Sequence, residues 1–453
     1  MFLGNTLSAA SSGLDSIERQ IALLSQNVAN ASTPNYVRET LPLSSLGTAG
    51  GPAGVRTGLA TRAMDDNLQG SLFASVATEA GSNVIHTALA GVDQISGTPG
   101  SGQDLSSLFG NLQDSFSTLA NDPASGSQQQ DVVAKAGAFA EGLHTVGDSL
   151  VQARQAAQDT LVQDVASANS TLHSIGLLTT QIIATKASGQ STADLENQRD
   201  GDLRTLAQLT GSKFSKQENG DIQVIAGNSV LPLRANTGPF SVAPTTISGG
   251  TPASSIPPVQ LNGKTLSGFG GQIGANLTLR DTTLPNMQLQ LDSFAQSVST
   301  TFQGQGLPLF TDPSGAIPTT PTTGYSMTIQ VSAAVTATPS MVRDGTTPSS
   351  LAGDTTLINK VLQNVFSSSA TGLPEQATSL VAGYAQMASE AQSTATTNTS
   401  LRTGLESRLS AITGVSVDSE MAQLVQLQAA YAANAKVVTA TQNMWTALLG
   451  VMP

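Results

Sequence analysis

Both ends of this 453-residue chain carry a seven-residue apolar repeat, the feature that most restricts how it can fold. Leu7, Leu14, Ile21 and Val28 recur every seven residues, and Leu3, Ala10, Ile17, Leu24 and Ala31 fill the complementary register. Such an a/d pattern over about four heptads predicts a helix with a continuous apolar seam. Pro34 biases Thr33 away from the α region, so the helix should stop near Ser32. The last segment repeats the device with Val417, Leu424, Tyr431, Val438 and Trp445, flanked by Met421, Ala435 and Leu449. Ser416, followed by Asp418 and Glu420, suits a helix start, because carboxylates are favoured at the positive end of the helix dipole.

The polar faces of these helices are nearly chargeless. Residues 1–37 carry only Asp15, Glu18 and Arg19, and residues 421–449 only Lys436. A solvated helix face normally displays Lys and Glu. Here it displays Gln, Asn, Ser, Thr and Ala, which desolvate more cheaply than charges. Two readings follow: burial on more than one side by packing into an assembly, or two ordinary amphipathic helices of one bundle.

The whole chain shares this texture. Charged residues make up 11%, against roughly 25% in an ordinary soluble domain, and the formal net charge is −12. So acidic a chain is a poor nucleic-acid binder, since phosphate affinity comes from Lys and Arg releasing counterions. No run of about 18 apolar residues is present to span a membrane. The N-terminus lacks the basic and apolar regions of a cleaved secretory signal. With no cysteine, disulfides, thiolate metal sites and cysteine nucleophiles are excluded. His86, His144 and His173 sit in no ligand spacing, and GxSxG, GxxxxGK[ST] and GxGxxG are absent. Asp65-Asp66 is explained by a helix N-terminus before it is explained by a metal. The expectation is a non-enzyme without cofactor or metal.

Between the ends the texture alternates. Residues 39–63 are punctuated by Gly and Pro and read as an extended connector. Residues 64–96, 105–120 and a long Ala- and Gln-rich stretch over 127–187 read as helices, with a stop at Gly189. Ser191 and Asp194 resemble a capping box for the next helix, which Gly211 ends. Residues 212–280 switch to a two-residue period, with a hairpin at Asn219-Gly220-Asp221. Residues 285–304 return to helix, 307–350 include a strand-like Tyr325–Val331, and 354–410 are helical with a loop at 367–374. The expected fold is therefore mainly α with a β-rich inserted outer domain. It is an elongated molecule with its N- and C-terminal helices paired as a coiled coil, an inner helical bundle and a small β tip. Its domains would be 1–38 with 411–453 for assembly, 39–63 as connector, 64–211 with 281–306 and 351–410 as helical rod, and 212–280 with 307–350 outside.

Two terminal signatures make the sequence recognisable. Ser25-Gln26-Asn27-Val28-Ala29-Asn30-Ala31-Ser32-Thr33-Pro34-Asn35-Tyr36 closely resembles the N-terminal motif of the flagellar rod, hook and hook-associated protein family. Asn35 stands where the family usually has Gly, and Asn is the residue best able to replace Gly in a left-handed conformation. Val415-Ser416-Val417-Asp418-Ser419-Glu420, with Gln428, Tyr431, Asn434-Ala435-Lys436-Val437, resembles the family's C-terminal helix. Leu195-Glu196-Asn197-Gln198-Arg199-Asp200 and Leu279-Arg280-Asp281-Thr282-Thr283-Leu284-Pro285 are similar to segments of its hook–filament junction branch. The resemblance implies a structural subunit that assembles as a ring-like homo-oligomer on the distal hook and adapts it to the filament. The implied partners are the hook protein, a second hook-associated junction protein, and an export chaperone at the C-terminal helix. Localisation would be extracellular, at the hook–filament junction, after flagellar type III export without a cleaved signal. The assembly interface would use Leu7, Leu14, Ile17, Ile21, Leu24, Val28, Asn30, Pro34, Tyr36, Val417, Leu424, Tyr431, Asn434, Val438, Trp445 and Leu449, with terminal segments that order on assembly. A second flagellar junction protein, or a surface adhesin acting through its β-rich tip, are the alternatives.

Overall fold

The N-terminal heptads fold as helix α1 (Phe2–Ala29) and the C-terminal ones as the last helix, α12 (Val417–Gly450). The computed structural model describes all residues except 1, 34–35, 49–50, 99, 234–237, 348–350 and 451–453, and not the side chains of 2–3, 48, 51–53 and 448–449. Pro34 therefore lies outside the described residues, as does the side chain of Leu449. α1 unwinds through a turn in which the Thr33 amide donates to the Asn30 carbonyl (2.9 Å).

The connector folds back on itself. β1 (Glu39–Thr40) pairs antiparallel with β4 (Thr61–Arg62), and between them β2 (Leu43–Thr48) and β3 (Gly51–Thr57) form a hairpin with a bulge at Leu46/Gly47. The hairpin lies close against α1: the Val55 amide donates to Ser12 Oγ (3.1 Å). Gly54 is required there, because it has φ +145° and a Cβ would sit 2.3 Å from that same oxygen.

The helices follow the sequence signals closely. They are α2 (Asp66–Ser96), α3 (Leu105–Asn121), α4 (Gly126–Ala187) and α5 (Ala193–Thr210). α5 ends on Gly211 in the left-handed conformation (φ 68°), with its amide bonded to the Ala207 carbonyl. Its start differs from the expected Ser191/Asp194 box. Thr192 is the cap residue and its hydroxyl donates to Glu196 (2.7 Å), while Ser191 donates to the Ala60 carbonyl (3.2 Å).

Short strands and helices complete the chain. β5 (Lys213–Lys216), β6 (Ile222–Ala226) and β7 (Ser229–Val230) make the expected hairpin sheet, turning through Gly220 at φ +91°. β8 (Phe240–Ser241), β9 (Gln260–Leu261) and β10 (Lys264–Thr265) form a second three-stranded sheet. α6 (Gly271–Thr278) runs through a π turn at Leu279–Thr283 into α7 (Leu284–Gly304). The wide turn sits just before Pro285, whose ring nitrogen has no hydrogen to donate. β11 (Phe310–Thr311) pairs with β12 (Gln330–Val331), followed by α8 (Ala333–Ala337), α9 (Met341–Asp344), α10 (Thr356–Asn364) and α11 (Leu373–Thr413).

Only the end of the expected strand at 325–331 is extended, and Tyr325–Met327 curls into a 3-10 turn. The cause is the fully buried Asp292, which accepts from the amides of Gly324 (2.8 Å) and Ser326 (2.9 Å) and from the Ser326 hydroxyl (2.6 Å). A carboxylate collecting adjacent donors bends the backbone around itself.

The fold is thus mainly helical with small antiparallel sheets. It forms two compact units: Met1–Val76, Ala168–Pro239 and Ser400–Pro453 in one, Ala77–Ser167 and Phe240–Thr399 in the other. The boundaries fall inside α2, α4 and α11, so the β regions divide, with β5–β7 in the first unit and β8–β12 in the second. The second unit is built on a cluster of tilted and edge-on rings: Phe109 lies 5.2 Å from Phe139 and 5.0 Å from Phe366, and Phe302 lies 5.6 Å from Phe310. In the first unit Phe73 and Phe214 meet edge to face at 5.5 Å.

Candidate assembly surface

α1 and α12 lie side by side in the first unit and run antiparallel. Asn27 donates to Glu420 (3.2 Å), Glu18 accepts from the Tyr431 hydroxyl (3.2 Å), and Asn434 sits against Gly13. Residue numbers rise on one helix as they fall on the other.

The structure divides the sequence-predicted interface residues by burial. On α1 the complementary register is the deeper one, with Ala10, Ile17 and Leu24 buried. Leu14, Ile21, Val28, Asn30 and Tyr36 are half-buried, and Leu7 is exposed. On α12, Leu424, Asn434 and Val438 are half-buried, whereas Val417, Tyr431 and Trp445 are exposed. Among the described residues, the most buried positions of α12 are Glu420 and Thr441, three heptads apart, in the register of Leu427 and Asn434. This register is mostly polar, which is why the apolar repeat did not reveal it.

Asn27 is the centre of that polar contact and is 1% exposed. Its amide nitrogen donates to the Glu39 carbonyl (3.0 Å) and to Glu420, and its oxygen accepts from the Glu39 amide (3.0 Å) and the Tyr36 hydroxyl (2.9 Å). Arg38 adds an ion pair to Glu420 (3.7 Å), and its amide donates to the Thr413 carbonyl (2.8 Å). One side chain thus ties α1, the segment after it and α12 together. Burial, then the Glu39 charge, pushes the Tyr36 hydroxyl well above the usual phenol range, so it remains a donor. Beside this knot lies a groove of about 360 Å³ lined by Gln20, Leu24, Arg38, Glu39, Glu420 and Leu427 among others. The residues the heptad pattern missed here, Asn27, Glu39 and Glu420, stand within or beside the quoted terminal motifs. An Asn three positions after a core Leu was the available signal.

A second polar knot explains the Glu196–Asp200 motif. Arg62 on β4 reaches Asp200 (2.6 Å), Asn197 (3.2 Å) and Glu196 (3.4 Å) on α5, and Gln69 on α2 also donates to Asp200 (2.6 Å). Arg199 faces the other way and donates to the Gly220 carbonyl of the hairpin (2.8 Å). The motif clamps the connector and the hairpin to α5. Asp200→Ala would take the shortest partner from Arg62, whose side chain is 4% exposed, leaving it Asn197 and the longer pair with Glu196. We expect a loss of about 3–5 kcal/mol in urea unfolding followed by circular dichroism, with Asp200→Asn milder because it keeps an acceptor for Gln69.

Among the described residues, large apolar side chains on α12 stand exposed. Val417, Met421 and Val425 form one ridge at i, i+4 spacing, and with Val437, Met444 and Trp445 they are 42–61% exposed. Among the described residues, no group of three His, Asp or Glu side chains is placed to hold a metal, and no helix is long and apolar enough to cross a membrane. His144 is occupied by a hydrogen bond between its Nε2 and the Ile329 carbonyl (2.7 Å).

The chain matches the helical domain of the flagellar hook-associated protein FlgK over residues 89–308, and the C-terminal domain of the flagellar basal body rod FlgEFG proteins over residues 410–451. Among solved structures it is similar to the flagellar hook junction protein FlgK from Burkholderia pseudomallei, with 27% identity and a TM-score of 0.43. That alignment covers 55% of this chain and 45% of the other, so it takes in under half of that relative's length. No curated protein matches the chain.

Proposed function

We infer, for a chain that belongs to the flagellar rod, hook and hook-associated protein family, a structural role at the hook–filament junction. The subunit polymerises on the distal hook as a ring-like homo-oligomer and presents a surface for the second junction protein and the filament. Residues 1–38 and 411–453 carry the assembly, residues 39–63 connect, the helical segments form the rod, and the β regions within 212–280 and 307–350 face outward. The subunit is extracellular, reaching its site unfolded by the flagellar type III route, with a chaperone holding the C-terminal helix in transit.

The observation that carries this reading is the uncovered apolar ridge of α12 on a helix with almost no charge. Water is a poor solvent for such a face, and covering each large apolar side chain is worth roughly 1.5–3 kcal/mol before ordering costs. Neighbouring subunits supply the cover. The helix pair is docked within the single chain through Asn27 and Glu420, and assembly adds the cover that its exposed ridge lacks.

The test is a null strain complemented with the full chain or with a chain ending at Ser410. We expect bare hooks and secreted filament protein in the null, rescue by the full chain, and none by the truncation. Normal filaments on the null strain would remove the junction role. Rescue by the truncation would remove α12 from assembly.

A further inference from the structure

Glu39 occupies an unusual position for an acid. It is 4% exposed, and its Oε1 is buried without a hydrogen-bond partner. Its backbone amide and carbonyl are both taken by Asn27, which fixes the main chain here against α1. Its cross-strand neighbour is Arg62, the pairing that would normally satisfy it. The Arg62 guanidinium instead bonds Asp200 and Asn197 and pairs with Glu196, and its Nε is buried without a hydrogen bond. Arg38, next in sequence, pairs with Glu420. Among the described residues, the other charges acting on this carboxyl are acidic, Asp194 and Glu196 from α5, while Glu420 of α12 lies on the far side of Asn27. Tyr36 faces it as a neutral phenol. α1 contributes the uncharged side chains of Asn27 and, along the groove, Gln20, Leu23 and Leu24.

We propose that Glu39 makes the docking of the terminal helices proton-linked: the segment takes up a proton as α1, α12 and residues 36–40 close on one another, and releases it as they part. This deepens the assembly reading above, since it names a condition that controls the same surface.

Burial, then the nearby Asp194, pushes the Glu39 carboxyl from its ordinary 4.5 up to about 7, with Arg62 opposing and Glu196 adding. The docked state therefore holds more protons than the undocked one between those values. Stability from this group is complete below about 4.5 and is lost as pH rises through about 7. Mild acid closes the knot, and mild alkali charges Glu39 against its acidic neighbours and loosens it.

Hydrogen exchange of the full-chain monomer, corrected for intrinsic rates, reads this directly on the amides of α1 and α12. Between pH 5.5 and pH 8 we expect their protection to fall by on the order of tenfold or more, while amides of α3 and α7 serve as the internal reference. Glu39→Gln keeps the size and removes the ionisation, so its protection should be flat with pH and at least as high as the parent at pH 8. Glu420→Gln should keep a pH slope. A flat profile in the parent chain, terminal amides unprotected at every pH, or a Glu39→Gln variant with the parent's slope would each overturn the proposal. None of these readouts depends on the flagellar role, which the null-strain complementation tests separately.

Discussion

Asn27→Ala is expected to release the terminal helices while the second unit stays folded. The substitution removes one buried side chain with four hydrogen bonds, to Glu39 twice, to Tyr36 and to Glu420. Alanine cannot replace any of them, and the side chain they hold is 1% exposed. The Glu39 amide and carbonyl are left without their partner, and each buried group so orphaned costs about 1–3 kcal/mol. Glu420, 1% exposed, also loses its nearest neutral donor and keeps only the longer contact with Arg38. The summed cost is on the order of 3–5 kcal/mol. It falls on the first unit, because no atom of this network belongs to the second. Hydrogen exchange should show α1 and α12 amides losing most of their protection with α3 and α7 unchanged. Asn27→Asp sharpens the test. It keeps acceptors for Glu39 and Tyr36, but sets a third carboxylate beside Glu39 and Glu420, so its damage should grow as pH rises. A change below about 0.5 kcal/mol for Asn27→Ala would mean that the knot contributes little and that apolar seam contacts alone hold the helices.

Phe109→Ala is the counterpart in the second unit. The ring is 1% exposed and sits among Phe139, Phe294 and Phe366, with centroids 5.0–6.3 Å away. Three different helices and the segment after α10 meet at this ring, so no single neighbour can move to fill the space. Truncation leaves a cavity in a close-packed core, and Phe→Ala changes of this kind cost about 3–5 kcal/mol. For a unit the size of 77–167 with 240–399, that lowers the melting temperature by about 10 °C. Phe109→Leu refills most of the volume and should recover more than half of the loss. Calorimetry that found Phe109→Ala melting with the parent would show that the ring cluster is not the core of this unit. Comparison with Asn27→Ala also measures whether the two units unfold independently.

Much of the architecture was legible in the sequence because its signals are local. The long helix α4 announces itself through apolar residues at helical spacing, and Gly211 and Asn219-Gly220 mark a helix end and a turn by their own backbone preferences. The start of α5 and the turn at Tyr325–Met327 were not legible. Each is set by a side chain or carbonyl distant in sequence, Ala60 in one case and Asp292 in the other.

The candidate surface divides in the same way. Heptads at both ends, and the near absence of charge on them, determined by themselves that this chain has two amphipathic terminal helices with faces that water does not favour. Which register is buried was decided by the tertiary structure, which places Ile17 and Leu24 inside, leaves Leu7 and Val417 exposed, and gathers Asn27, Glu39 and Glu420 where the apolar pattern predicted only apolar contacts. The reason is physical. Periodicity follows from 3.6 residues per turn and needs only neighbours in sequence. The desolvation of a polar group depends on its partner, and for Asn27 and Glu420 that partner lies 393 residues away.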